Sequence, residues 1–558
     1  MGNLLSSNKK EDRRPPPMIP SDTVIPLHRY DDTPLTRKVI VEFTMRFDDV
    51  LDPDKLRLSL EKLLSRRDWR KLGGRLRLNV RPAPFPFLDR RSSRDLGPSE
   101  LKLTLRHDLQ TNGRLEYHIP KVFDEKRPAF TYSHVGHDVE IHRHPTGSRL
   151  PRPTAKPTVL SDPEDYAPLL RRWGAPRRLA DYLRSDLPQL SLHVVSFADA
   201  TVVSLSWPHT LLDAMGRRAL LDAWVAVLEG RDGAVKPLHG VARDPLAPLG
   251  SRPEEPYVLA HRRLSPLQAL VFAVSYLWTT LLWARGEETR MVCVPAPHVR
   301  SLHRGALEYL AAQQPPFSDD GYGGGDEKAR PFVSEGDVLS SWITRLAMLP
   351  LRRTDREVSI MNAFGMRSVL AKDLLPPTHA YVGNAVAGVY AFVSMHDLFT
   401  KPLGHTAAAV RRSIAEQGTR QQVEARAAVD LSAGKRGKTA VYGDSKMAPV
   451  MVSNWSKAKF FETDFSAAVV RPGIDPARRA NKIGRPSYIQ PNGLADGIPT
   501  RNSFPIVGKD AAGNYWLSGT LKRGLWRRVQ EEMDTEYTYL AHHFVASQGY
   551  EFIDSKGM

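Results

Sequence analysis

LSWPHTLLDAMGRRALLDAW, Leu205 to Trp224, sets an apolar run against an amphipathic one, with a histidine between them. The apolar run extends backwards through QLSLHVVSFADATVVSLSW, residues 189–207, where two apolar segments flank the polar turn ADAT. That pattern predicts a hairpin whose second strand enters a core. Forward of Asp213, the residues Leu220, Leu221, Trp224, Val225 and Leu228 keep to one helical face, and Gly230 is a natural stop. His209 therefore stands where a strand leads into a helix. Such a junction presents an imidazole edge in a cleft while fixed backbone holds it.

Outward from this stretch the alternation continues. VIVEFTMRF, Val39 to Phe47, reads as a strand, and DPDKLRLSLEKLLSRR as a helix with Asp52 or Asp54 near its cap. Residues 231–256 are rich in proline and glycine and read as a surface linker. Then LQALVFAVSYLW opens an uncharged stretch, Leu267 to Ala284, at the lower limit for a membrane span and diluted by Gln268, Ser275, Thr279 and Thr280. A helix lying in a membrane interface, or a buried one, is the expectation, with Arg262, Arg263, Arg285 and Arg290 suited to an acidic lipid surface. Further on come a strand RMVCVP, a helix EGDVLSSWITRLAM, a strand EVSIMNAF, a hairpin turning at Ala512 to Asn514, and a helix RGLWRRVQEEM. Strands and helices alternate in both halves, which indicates a two-domain α/β or α+β protein. The expected division is a flexible arm at 1–25, a domain at 26–230, a linker with the apolar helix at 231–290, and a second domain at 291–558.

With 558 residues the chain exceeds one ordinary core. Its single cysteine, Cys293, excludes an intramolecular disulfide framework and a CxxC zinc pattern, and fits a reducing, cytoplasmic setting. A formal charge of +17 says that the surface attracts anions, among them phosphate-bearing cosubstrates and acidic lipids. No basic helix, zinc module or ribonucleoprotein motif supports nucleic acid. Short basic clusters, such as Arg171 with Arg172, Arg217 with Arg218, Arg411 with Arg412, and Lys435, Arg436 and Lys438, read as a solvated basic face. At the start of the chain, Gly2 with Ser6 meets the minimal myristoylation pattern.

Eighteen histidines should give about one HxxxD match by chance, and the chain has three. His28 with Asp32 lies in the proline-flanked arm, where no fixed pose is expected, and His134 with Asp138 lies in polar, exposed-looking sequence. Only His209 with Asp213 joins a strand pattern to a helix, with Gly216 three residues past the aspartate. The imidazole can take a proton from an alcohol or amine at neutral pH, and Asp213 can hold the loop through an ion pair. Spacing alone leaves a structural histidine open beside a catalytic one.

LSWPHTLLDAMG resembles the HxxxDxxG signature of the BAHD acyltransferases, most closely their fungal members. Five further stretches agree in order: ETRMVCVP, LQALVFAVSYLW, EGDVLSSWITRLA, EVSIMNAFGMRSVL with YVGNAV, and VSNWSKAKFFETDFS. The resemblance runs from about residue 25 to the end. It implies two chloramphenicol-acetyltransferase-like domains with a channel between them, acyl-CoA entering by one mouth and the acceptor by the other. It makes His209 the general base, Asp213 structural with Arg367 as its partner, Gly216 a support, and Ser453 and Trp455 stabilisers of the tetrahedral oxyanion.

Where the family carries DFGWG, this chain has Asp464, Phe465, Ser466, Ala467 and Ala468, so both glycines and the tryptophan are lost. Altered support of the fold and the CoA channel is the expectation, and Ser466 is tolerable only where the backbone needs no positive φ. Asn362 stands where many relatives carry an aspartate, which weakens the expectation of an Arg367 pairing. The implied activity is transfer of an acyl group from a CoA thioester to a hydroxyl or amine of a small natural product or lipid-like acceptor. No permanently bound cofactor and no metal is implied. A monomer in peripheral contact with a membrane is expected. The competing reading is a non-catalytic binding or scaffold protein on the same fold.

Overall fold

Val39–Phe47 has buried side chains at nearly every position, so this strand is covered on both faces. Thr201–Pro208 flanks it on one side and Tyr488–Ala495 on the other, both antiparallel. Ser191–Ser196 pairs with Thr201–Pro208 as the expected hairpin, and Thr131–Gly136, parallel to Ser191–Ser196, completes a five-stranded sheet. The computed structural model that shows this describes residues 15–79, 113–282, 286–313, 332–434 and 440–547. Gly2, Lys435, Arg436 and Lys438 lie outside the described residues.

The helix Pro53–Ser65 starts as its sequence directs, with Asp52 accepting from the N–H groups of Asp54 and Lys55 at 2.9 and 3.0 Å. It packs on the helix Ala214–Leu228, where the Trp224 indole N–H donates to Ser59 Oγ at 2.9 Å. Leu220 and Leu221 are fully buried in the shared core, each stabilising the fold by about 1.5–3 kcal/mol.

A second, seven-stranded sheet runs in the order Val386–Ser394, Glu357–Gly365, Ala448–Asn454, Ser503–Lys509, Tyr515–Lys522, Glu287–Val294 and Thr158–Val159. Its own core includes Val338, Leu339, Trp342 and Ile343 of the helix Glu335–Ala347, which opens with a capping box between Ser334 and Asp337. Gly513, at φ +84°, makes the turn between Ser503–Lys509 and Tyr515–Lys522. Cys293 is buried in its strand. Two sheets with separate cores form the mixed α/β, two-domain architecture that the sequence suggests.

Several expectations change. Two strands cross the contiguous division: Tyr488–Ala495 belongs to the first sheet and Thr158–Val159 to the second. The arm before residue 26 contains a strand, Thr23–Pro26, paired with Arg114–Ile119. Residues 231–256 are no loose linker, because Leu246 and Leu249 are fully buried with Met366, Leu370 and Val423. The stretch does run over the surface, with Pro237, Pro248, Pro253 and Pro256 exposed, but it is pinned by its buried leucines. Among the described basic clusters, the solvated face holds for Arg412, which is exposed, but not for three others. Arg171 pairs with Glu42, Arg411 with Asp337, and Arg217 is enclosed.

Candidate functional site

Thr201–Pro208 ends at His209, whose backbone is tied from two sides. Its N–H donates to the Val39 carbonyl at 2.9 Å, and its carbonyl accepts from the Asn384 side-chain amide at 3.0 Å. The next carbonyl, of Thr210, accepts from the Tyr117 hydroxyl at 2.8 Å. Three separate elements thus fix the chain on which the imidazole is mounted. The residue is partly exposed, but Nδ1 is enclosed without a hydrogen-bond partner. Burial lowers its pKa below the ordinary 6.5, the Arg217 charge acts in the same sense, and the Asp213 charge opposes them. His209 is therefore neutral at neutral pH and able to accept a proton.

Asp213 caps the helix Ala214–Leu228 and is 4% exposed. Oδ1 accepts from the Gly216 N–H at 2.7 Å and from Arg367 Nη2 at 2.8 Å. Oδ2 accepts from Arg367 Nη1 at 2.8 Å and from the Ala385 N–H at 2.9 Å. Four donors occupy the carboxylate, and none of them is His209. Arg367 adds bonds to the carbonyls of Tyr381 and Gly383. The pairing expected to suffer from Asn362 is intact; Asn362 is buried elsewhere on its strand, with Nδ2 unpartnered.

Gly216 is what lets these parts meet. A Cβ there would lie 1.9 Å from the Val382 carbonyl oxygen, a backbone atom that cannot swing aside. Gly216→Ala is expected to cost about 3 kcal/mol or more, the upper end for overpacking. Denaturant unfolding checks it, and a variant within 1 kcal/mol of the parent would contradict the contact.

Behind His209 lies a group that sequence reasoning set aside. Asp31, fully buried, accepts both from the Asn384 backbone N–H at 2.7 Å and from its side chain at 2.9 Å. His28 Nδ1 stands 3.9 Å from Asp31 and 4.0 Å from Asp244. Far from a mobile arm, His28 is 4% exposed. Burial, with the Lys71 charge, lowers its pKa to about 4, and burial raises that of Asp31 to about 6. The signal was present in HRYDD, just before the first sheet strand, but its prolines suggested disorder. His134 is exposed, as expected.

Arg217 was missed outright. Its guanidinium carbon lies 3.9 Å from the Phe43 ring centroid, 4.3 Å from Phe460 and 4.5 Å from Trp455, with Nε and Nη2 unpartnered. Burial pulls its pKa down to about 9. The cage reaches Trp455 at the end of the strand Ala448–Asn454. The Trp455 indole N–H donates to Ser453 Oγ at 2.8 Å, which leaves the serine hydroxyl hydrogen free to serve another acceptor.

Phe465 is fully buried, edge-on to Trp224 at 5.0 Å and to Phe47 at 5.5 Å. Asp464 accepts from the Ser466 N–H at 2.9 Å. Ser466 is not among the residues with positive φ, so the serine sits there without strain. Among the described residues, no group of three or more His, Cys, Asp or Glu could hold a metal ion.

The family model described as "Transferase family" matches residues 175–469. A Penicillium decumbens protein named transcriptional regulator calD is 44% identical, over 93% of this chain and 97% of its own. Acetyltransferase sphE of Aspergillus fumigatus is 38% identical, over 93% and 96%. In fold, the chain is similar to F. sporotrichioides TRI101 complexed with coenzyme A and T-2, at TM-score 0.57 and 15% identity, covering 93% of this chain and 98% of that one.

Proposed function

Since this chain belongs to the Transferase family, the BAHD acyltransferases, and is an acyltransferase, we propose that it carries an acyl group from a CoA thioester to a hydroxyl of a small apolar natural product, with His209 as general base. The observation that carries this is a neutral imidazole at a strand end, on a backbone fixed from three elements, beside a carboxylate committed wholly to structure. His209 takes the acceptor proton as the oxygen attacks the thioester carbonyl. The tetrahedral oxyanion draws on the Ser453 hydroxyl, which Trp455 orients. Collapse expels the thiolate, which recovers the proton from the imidazolium and leaves ester and free CoA.

Release of CoA thiol from a panel of acyl-CoAs, with a cell extract as acceptor source and mass spectrometry of the product, tests the reading. Acceptor-dependent release supports it and identifies the donor. Binding of acyl-CoA without turnover of any donor favours the scaffold reading, in which the lost DFGWG glycines are the trace. The same proposal takes the chain as a monomer with its acceptor arriving through a channel between the domains.

The depressed imidazole pKa has a kinetic signature. A base whose pKa is lowered keeps its reactive form to lower pH, so kcat/KM is expected to climb to a limb below 6.5 and stay level through neutrality. A pH profile with its limb at or above 6.5 would contradict the buried imidazole.

A further inference from the structure

The helix Pro266–Leu282 has no charged residue and turns apolar side chains to solvent. Leu267 is 71% exposed, Leu270 59%, Val271 42% and Val274 57%. These positions are spaced i, i+3, i+4 and i+7, the single stripe that a globular helix normally turns to its core. The helix is capped at its start by reciprocal bonds between Ser265 and Gln268, and is moored further along by Arg501, which donates to the Tyr276 carbonyl at 3.0 Å and covers its ring. Among the described residues, no helix is long and apolar enough to cross a membrane.

Next to the stripe is a recess of about 350 Å³ lined by His261, Arg262, Arg263, Leu264, Gln268 and Gly443. Arg262 is spoken for by Glu357, at 2.6 Å. His261 and Arg263 are exposed, and among the described residues neither has an ion pair. An uncharged stripe bordered by the Arg263 guanidinium and the His261 imidazole, on a chain of formal charge +17, is complementary to one kind of surface. Apolar side chains enter the boundary between headgroups and acyl chains, while cations meet the phosphates.

We propose that this face docks on an anionic lipid bilayer, with Leu267, Leu270, Val271 and Val274 seated at the headgroup boundary and Arg263 and His261 on the phosphates. The helix lies in the plane of the bilayer and does not span it. Docking does not require the acyl-transfer reading, and measuring it also on His209→Ala keeps the two apart.

The test is flotation of the full chain with phosphatidylcholine vesicles, pure or containing phosphatidylserine. Capture by the anionic vesicles is expected to exceed capture by neutral ones about tenfold and to weaken with salt. The Leu270→Glu/Val274→Glu protein is expected to lose it, and Arg263→Glu to lower it several-fold. Because Cys293 is buried, a Val274→Cys variant takes an environment-sensitive fluorophore selectively, and its emission should shift to the blue on anionic vesicles alone. That reading stands even where the double variant folds poorly. Absence of both flotation and blue shift overturns the proposal, as does flotation unchanged in a folded double variant. A dimer in sedimentation that the double variant dissolves, without lipid capture, would make a second copy the occupant and overturn it equally.

Discussion

His209→Ala is expected to lower kcat for acyl transfer about a thousandfold, within the range for loss of a general base. The variant should otherwise be a well-folded protein. Both backbone bonds at this position, to Val39 and from Asn384, are made by main-chain atoms and survive the change. The imidazole Nδ1 has no partner whose loss would leave a buried donor behind. Affinity for acyl-CoA, measured by calorimetry, should stay within a few-fold of the parent, because the imidazole acts on the acceptor. Retained turnover in a protein with the parent's thermal midpoint would remove His209 from the chemistry. The structural histidine left open by spacing alone would then be correct.

Asp213→Ala should do the opposite, harming the fold first. The change strands the Arg367 guanidinium at a mostly buried position and orphans the N–H groups of Gly216 and Ala385. Breaking a buried pair by removing one partner costs about 3–5 kcal/mol, against a total stability of about 5–15 kcal/mol. Denaturant unfolding is the measurement. A double-mutant cycle with Arg367→Ala should return a coupling of about 2 kcal/mol or more, since each partner's desolvation is offset by the other. A loss below 1 kcal/mol in the single variant would mean that Asp213 is not the clasp between the helix and the Tyr381 to Ala385 turn.

The junction at His209 was legible because two local signals agree there: an apolar run that stops and a helical stripe through Trp224. Arg217 was not. In one dimension it is half of a basic pair, and its cage draws Phe43, Trp207, Trp455 and Phe460 from stretches that no periodicity connects. Asp31 escaped because the prolines flanking HRYDD suggested disorder, and its partner Asn384 lies in the other half of the chain. Composition found the apolar helix, but the direction of its stripe depends on what stands beside it. The family resemblance supplied Arg367, Ser453 and Trp455, which the residues alone would not have singled out.

The crossing strand Tyr488–Ala495 has a consequence for how the protein is made. Val39–Phe47 gains its second neighbour only about 440 residues later in the chain, roughly 20–90 s of ribosomal synthesis at about 5–20 residues per second. From the completion of Thr201–Pro208, about 280 residues before Tyr488, one edge of the first sheet is a row of unpaired N–H and C=O groups, open to any passing strand. The first sheet can be completed only when nearly all of the chain has been made, so the two halves cannot finish folding in strict succession.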